Sequence, residues 1–197
     1  MRIFLAGATG VIGTRLIPLL VEDGHVVAGM TRSAGRASLV RDLGAEPVIC
    51  DVYDLAALTT AMTGFRPDVV LHQLTDLPDD ASEIPRLAGR NQRMRDEGTA
   101  NLLAAAHAAG AARLIAQSIS WEQPTEEAQT ATGAFERTVL RDGGVIIRYG
   151  QFWGPGTYYP DTPPPRPRIH LDDAARQTVI ALGAPPGLTL VADDRAS

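Results

Sequence analysis

Three glycines three residues apart, in Gly7-Ala8-Thr9-Gly10-Val11-Ile12-Gly13, lie between an apolar run, Ile3-Phe4-Leu5-Ala6, and a segment where Leu16, Ile17, Leu19 and Leu20 recur at helical period. A strand, turn and helix in that order are suited to phosphate. Gly7 permits the tight reversal, Gly10 lets a pyrophosphate approach the backbone, and Gly13 allows the helix to pack against the strand, while free N–H groups at the helix start face the anion. Dinucleotide binding is the expected chemistry, and a purely structural glycine turn is the alternative.

A second strand, Val26-Met30, would end at the adenosine ribose. An acidic residue there would accept both ribose hydroxyls, but this chain has Met30-Thr31-Arg32-Ser33, with Arg36 close behind. Arginines and hydroxyls favour a 2′-phosphate, so NADP(H) is expected over NAD(H), against the alternative of a solvated arginine at a strand end. After the third strand, Cys50-Asp51-Val52 offers Asp51 to the adenine amino group and Val52 to its ring. Asp51 could equally cap a helix.

The other side-chain chemistry is limited by composition. All 18 basic residues are arginine, so the chain has no lysine for a Schiff base, a phosphate loop or a cation beside a tyrosine. A net charge of −5 with no long basic run argues against nucleic acid. Cys50 stands alone, and His25, His72, His107 and His170 are too scattered for metal-ligand spacing, so neither disulfide nor metal is expected. No run of about 18 apolar residues reads as a membrane span, and the few apolar residues before Gly7 are too short for a signal peptide. The expectation is a cytoplasmic protein with one domain over residues 1–197.

Positioning these residues requires an α/β framework. Apolar runs at Ile3-Ala6, Val26-Met30, Pro47-Cys50, Val69-His72, Arg113-Ala116, Val145-Arg148 and Leu188-Val191 alternate with helical segments. Continuous apolar strands are buried on both faces, which predicts a doubly wound parallel sheet of about seven strands. An alanine-rich helix from about Glu97 to Ala109 could pack on the sheet or form a homodimer contact. From Gly154 to Pro167 the prolines exclude helix and central strand, and Asp172 or Asp173 could cap a helix reaching about Leu182.

These blocks together resemble the extended short-chain dehydrogenase/reductase superfamily, in particular NAD-dependent epimerase/dehydratases. The resemblance runs through the glycine turn, Asp51, Gly98-Thr99-Ala100-Asn101-Leu102-Leu103, Ser118, Glu136, Arg148-Tyr149-Gly150, Gly154-Pro155-Gly156-Thr157 and His170-Leu171-Asp172-Asp173. It implies a Rossmann fold and a cofactor surrounded by Gly7, Thr9, Gly10, Val11, Ile12, Gly13, Arg32, Asp51, Val52, Leu71, His72 and Gln73. It also implies that Tyr149, Gly150, Gln151 and Phe152 approach the nicotinamide and an unidentified small-molecule substrate.

The family's catalytic pair is missing. Counting back from Glu136, its lysine position falls on Thr132 and its tyrosine position on Ala128, and no tyrosine occurs between Trp121 and Arg141. A proton donor would have to come from Ser118, Tyr149 or His170, with His72, Tyr158 and Tyr159 as further candidates. The family's substrate insertion is cut to a Pro-rich remnant at 154–170, leaving almost no lid. An NADP(H)-dependent oxidoreductase or epimerase-like enzyme and a catalytically silent NADP(H) sensor both remain open.

Overall fold

The computed structural model describes residues 1–193. The expected 1–197 span therefore includes residues 194–197, which lie outside the described ones. Seven strands form one parallel sheet: β1 (Arg2–Ala6), β2 (Val26–Thr31), β3 (Glu46–Ile49), β4 (Val69–His72), β5 (Arg113–Ile119), β6 (Val145–Tyr149) and, near the end of the chain, Gly187–Val191. Two short strands, β7 (Gln151–Trp153) and β8 (Arg168–His170), pair with each other outside it, which makes the last strand of the large sheet β9. The order β3-β2-β1-β4-β5-β6-β9 reverses between β1 and β4 and opens a crevice at their carboxyl ends.

Strand alternation sends side chains to two cores. Ile3 and Leu5 of β1 face α1 (Gly13–Glu22), α2 (Ala37–Asp42) and α7 (Leu171–Ala181). Phe4 and Ala6 face α3 (Leu55–Phe65), α5 (Thr99–Ala109) and α6 (Glu126–Arg141). Three helices on each face leave both faces dry, which is why the strands read as unbroken apolar runs. The remaining helix, α4 (Ile84–Arg93), contributes no buried residue. A π-helical turn, Met94–Gly98, joins it to α5.

The expected strands are present with small shifts: β5 runs three residues further, and β3 starts and ends one residue earlier. The pairing of β7 with β8 was not foreseen, because each strand is only three residues long. The alanine-rich helix begins at Thr99 and buries Leu102, Leu103, Ala105 and Ala106, leaving Ala100, Ala104 and Ala108 exposed. At α7 the cap is not an aspartate. His170 occupies that position, its Nδ1 accepting the Asp172 N–H at 3.3 Å, while Asp172 and Asp173 lie in the first turn beside the positive end of the helix.

Candidate functional site

The glycine turn is closed on two sides and open on a third. Gly7 has φ +99°, and a Cβ there would lie 2.7 Å from the Gln73 carbonyl oxygen. A Cβ on Gly13 would come within 2.1 Å of the Gly7 carbonyl oxygen, so the helix can sit this close only with glycine. Gly10 is the open side, where the nearest contact of an added Cβ is 3.4 Å away. Its own N–H donates to the Gly7 carbonyl at 3.1 Å, whereas those of Thr9, Val11 and Ile12 meet no backbone carbonyl among the described residues. Free donors at a helix start with room for close approach fit a pyrophosphate. A bound dinucleotide would supply a hydride donor or acceptor at the far end of the same crevice.

The tips of β2 and β3, where the adenosine end of a dinucleotide is expected, carry a small polar network. Thr9 and Thr31 share a hydroxyl hydrogen bond of 3.3 Å, and Arg36 Nη1 donates to the Thr9 carbonyl at 3.3 Å. The Arg32 side chain is 65% exposed, and its nearest carboxylate, Asp76 at 3.9 Å, is already gripped by Arg90 at 2.5 and 3.2 Å. Arg32 is therefore a loosely held cation at the rim. Asp51 Oδ1 accepts the Tyr53 N–H at 3.0 Å, while Asp54, not Asp51, caps α3 through the Ala57 N–H. Val52 is buried below the rim, and its carbonyl accepts from Asn101.

At the end of β4 the three expected cofactor residues are all enclosed. Leu71 is sealed in the core, so its side chain is not presented to a ligand. His72 Nδ1 accepts the Leu74 N–H at 3.3 Å, which puts the ring proton on Nε2, where it reaches Thr99 Oγ1 at 3.1 Å. Burial, reinforced by the nearby Arg95 charge, lowers the His72 pKa to about 4. Gln73 donates to the Tyr149 hydroxyl at 3.4 Å, and its Oε1 is buried without a partner.

The proposed proton donors do not converge. Ser118 pairs in register with Arg148, and Ile119 with Tyr149, so Ser118 faces α6 while Tyr149 points through the opposite face of the sheet. Ser118 donates its proton to Glu136 Oε1 at 2.6 Å. The Tyr149 hydroxyl lies 2.6 Å from Thr178 Oγ1, which itself donates to the Ala174 carbonyl, and burial raises the phenol pKa well above its usual value. His170 caps α7 and lies edge-on to Trp153 with ring centres 4.5 Å apart. Ser118, Tyr149 and His170 each hold a hydrogen bond within the protein, and Ser118 and Tyr149 lie on opposite faces of the sheet.

Comparison with known proteins places this geometry. A family model described as NAD(P)H-binding matches residues 7–143. The chain belongs to this NAD(P)H-binding family. The NAD(P)H-binding protein is 37% identical over 182 residues to the "3-diazoavenalumate denitrifying reductase" of Streptomyces sp, a match covering 81% of this chain and 59% of the relative. It is 30% identical over 188 residues to an uncharacterised protein of Mycobacterium tuberculosis, covering 92% of this chain and 20% of that one. It therefore spans less than two thirds of each of these relatives. Among solved structures, the NAD complex of UDP-glucose 4-epimerase from Thermus thermophilus shares the fold with a TM-score of 0.81 at 20% identity, covering 99% of this chain and 78% of that one.

In the NAD(P)H-binding protein the proline segment does more than its composition indicated. Arg15 of α1 donates to the Val11 carbonyl, the Pro155 carbonyl and Asp172 Oδ1, each within 2.9 Å, tying the glycine turn to the Gly154–Gly156 bend and to the start of α7. The Tyr158 hydroxyl donates to the Pro78 carbonyl, beyond β4. The expected short segment is thereby held as a strap between the glycine turn, the start of α7 and the chain beyond β4. Arg15 carried only its i, i+4 spacing from Val11 as a local signal, and its partners at 155 and 172 had none.

Proposed function

We propose that the protein is an NADPH-dependent reductase that passes hydride to an acceptor needing no proton from a tyrosine–lysine pair. The observation that carries this reading is the pairing of an open glycine turn with Ala128 and Thr132 at the positions of that pair, in a chain without lysine. In this reading Gly7, Thr9, Gly10, Val11, Ile12 and Gly13 hold the pyrophosphate, Arg32 and Arg36 receive the 2′-phosphate, and Asp51 with Val52 meets the adenine. Gln73 closes the floor behind Gly7.

The reductase relative points to an acceptor class with that property. Hydride added to the carbon of an aryl diazonium expels dinitrogen: ArN₂⁺ and NADPH give ArH, N₂ and NADP⁺, and the protein donates no proton. The protein's task is then to align the acceptor and exclude water. The test is incubation of the protein with benzenediazonium and NADPH deuterated at nicotinamide C4. One N₂ per NADPH and deuterium on the ring support the reading. Absence of turnover with this salt and with ketones and quinones, despite tight NADPH binding, refutes it.

That second outcome is what an NADP(H) sensor would give. The bonds already occupying Ser118, Tyr149 and His170 favour this alternative.

A further inference from the structure

We propose that Arg95 is the substrate anchor of this protein, a guanidinium placed at the reaction end of the crevice to hold the carboxylate of the molecule that is reduced. The proposal rests on the reductase reading and adds a substrate class to it.

Arg95 belongs to the π turn Met94–Gly98, which departs from α-helical register immediately before α5. Thr99, the first residue after that turn, holds His72 at the carboxyl end of β4. Arg95 itself crosses to α6, where Nη1 donates to Thr132 Oγ1 at 2.7 Å. The Thr132 proton is already committed to the Ala128 carbonyl at 2.9 Å, so its lone pair is what receives the arginine. A cation from another element has thus reached the α6 position where the resembled family carries its lysine, one turn from the position of the absent tyrosine. The Phe135 ring lies below it, with its centre 5.9 Å from the guanidinium carbon.

The guanidinium feels the Glu136 and Asp96 charges but forms no salt bridge among the described residues. Glu136 is the acid that could pair with it, but Glu136 holds Arg148 at 2.5 and 2.8 Å and also accepts from Ser118. Among the described residues, Arg95 has no ion-pair partner, and its Nε and Nη2 donate to no protein atom. Neither nitrogen is sealed, since the one enclosed polar side-chain atom lacking a partner there is Gln73 Oε1. Burial lowers the Arg95 pKa, and the Glu136 and Asp96 charges restore only part of it. A half-desolvated guanidinium with a free N–H fork is matched by a planar carboxylate, which accepts two parallel bonds. Arg95 stays protonated throughout, so it orients and neutralises the acid without passing a proton.

The test is calorimetric titration of the full chain with benzoate and with its neutral counterpart benzamide, each with and without saturating NADPH. Wild type is expected to bind benzoate about tenfold or more tightly than benzamide, the scale of one charge-assisted bond pair. Arg95→Gln should abolish that preference, Arg95→Lys should keep part of it, and the NADPH affinity of both variants should stay within about twofold of wild type. Equal binding of the two probes to wild type, or a preference that survives in Arg95→Gln, overturns the assignment. Failure of NADPH to bind, with the benzoate preference intact and Arg95-dependent, would instead overturn the cofactor reading and leave the anion site standing.

Discussion

Arg148 and Glu136 form a two-point ion pair between β6 and α6, with contacts of 2.5 and 2.8 Å, and the carboxylate also accepts from Ser118 at 2.6 Å. Burial pushes the Glu136 pKa up, but the hydrogen bonds from Arg148 and Ser118 and the neighbouring Arg148 and Arg95 charges outweigh it, leaving the carboxyl below its usual range. Glu136→Gln removes the charge and leaves two arginines facing a neutral amide. Because the Arg148 side chain is 42% exposed, the expected loss is about 2 kcal/mol, not the full cost of breaking a buried pair. Urea unfolding at pH 7 measures it, and an unchanged midpoint would contradict the pair's structural role.

The glycine turn separates binding from folding. Gly10→Val places a side chain on the open edge, where nothing else is closer than 3.4 Å, and should weaken NADPH binding about 100-fold or more while the fold survives. Gly13→Val pushes atoms into the Gly7 carbonyl, whose oxygen lies 2.1 Å from the first added carbon, and should fail to fold. Calorimetry on the first and circular dichroism on the second decide both expectations.

Selectivity for the 2′-phosphate rests on Arg32 and Arg36 in the proposed cofactor site. Arg32→Gln is expected to reduce NADPH affinity about 10–100-fold, the value of a lost charge-assisted bond, while leaving NADH binding nearly unchanged. Equal losses for both cofactors would mean that Arg32 does not read the phosphate.

His72 makes stability depend on pH. Its folded pKa of about 4 lies below the ordinary 6.5, so the unfolded chain takes up a proton first as pH falls. Stability is full above about pH 6.5 and declines toward pH 4, by up to about 3 kcal/mol for a shift of this size. Glu136 contributes in the same direction, but only below the normal carboxylate range, where its depressed pKa begins to matter. His72→Gln should flatten the upper part of the profile, as measured by urea midpoints between pH 4 and 7.

The sheet was legible because parallel strands covered on both faces must be largely apolar, as Val69 to Leu71 and Val145 to Ile147 are. The glycine turn was legible because its geometry is local: Gly7, Gly10 and Gly13 each answer to atoms within a few residues or at the adjoining strand end. The reaction end was not. Whether Ser118 and Tyr149 meet depends on strand register, since a one-residue offset places neighbours on opposite faces. Arg95 meeting Thr132 depends on a π turn and on a contact across 37 residues, neither of which leaves a periodic trace. His170 took the cap position because its ring nitrogen reaches the Asp172 N–H, which starts the helix two residues earlier than an Asp172 cap would.

The Arg15 bridge has an optical consequence. Arg15 binds the Val11 carbonyl in the phosphate turn and Asp172 at the head of α7, two residues beyond His170, whose ring lies against Trp153. Trp153 and Trp121 are the chain's two tryptophans. An indole is thus linked to the glycine turn through Arg15, Asp172 and the His170 ring that accepts the Asp172 N–H, so Trp153 emission is expected to change when NADPH is added. A Trp121→Phe variant would leave this emission as the molecule's single tryptophan signal.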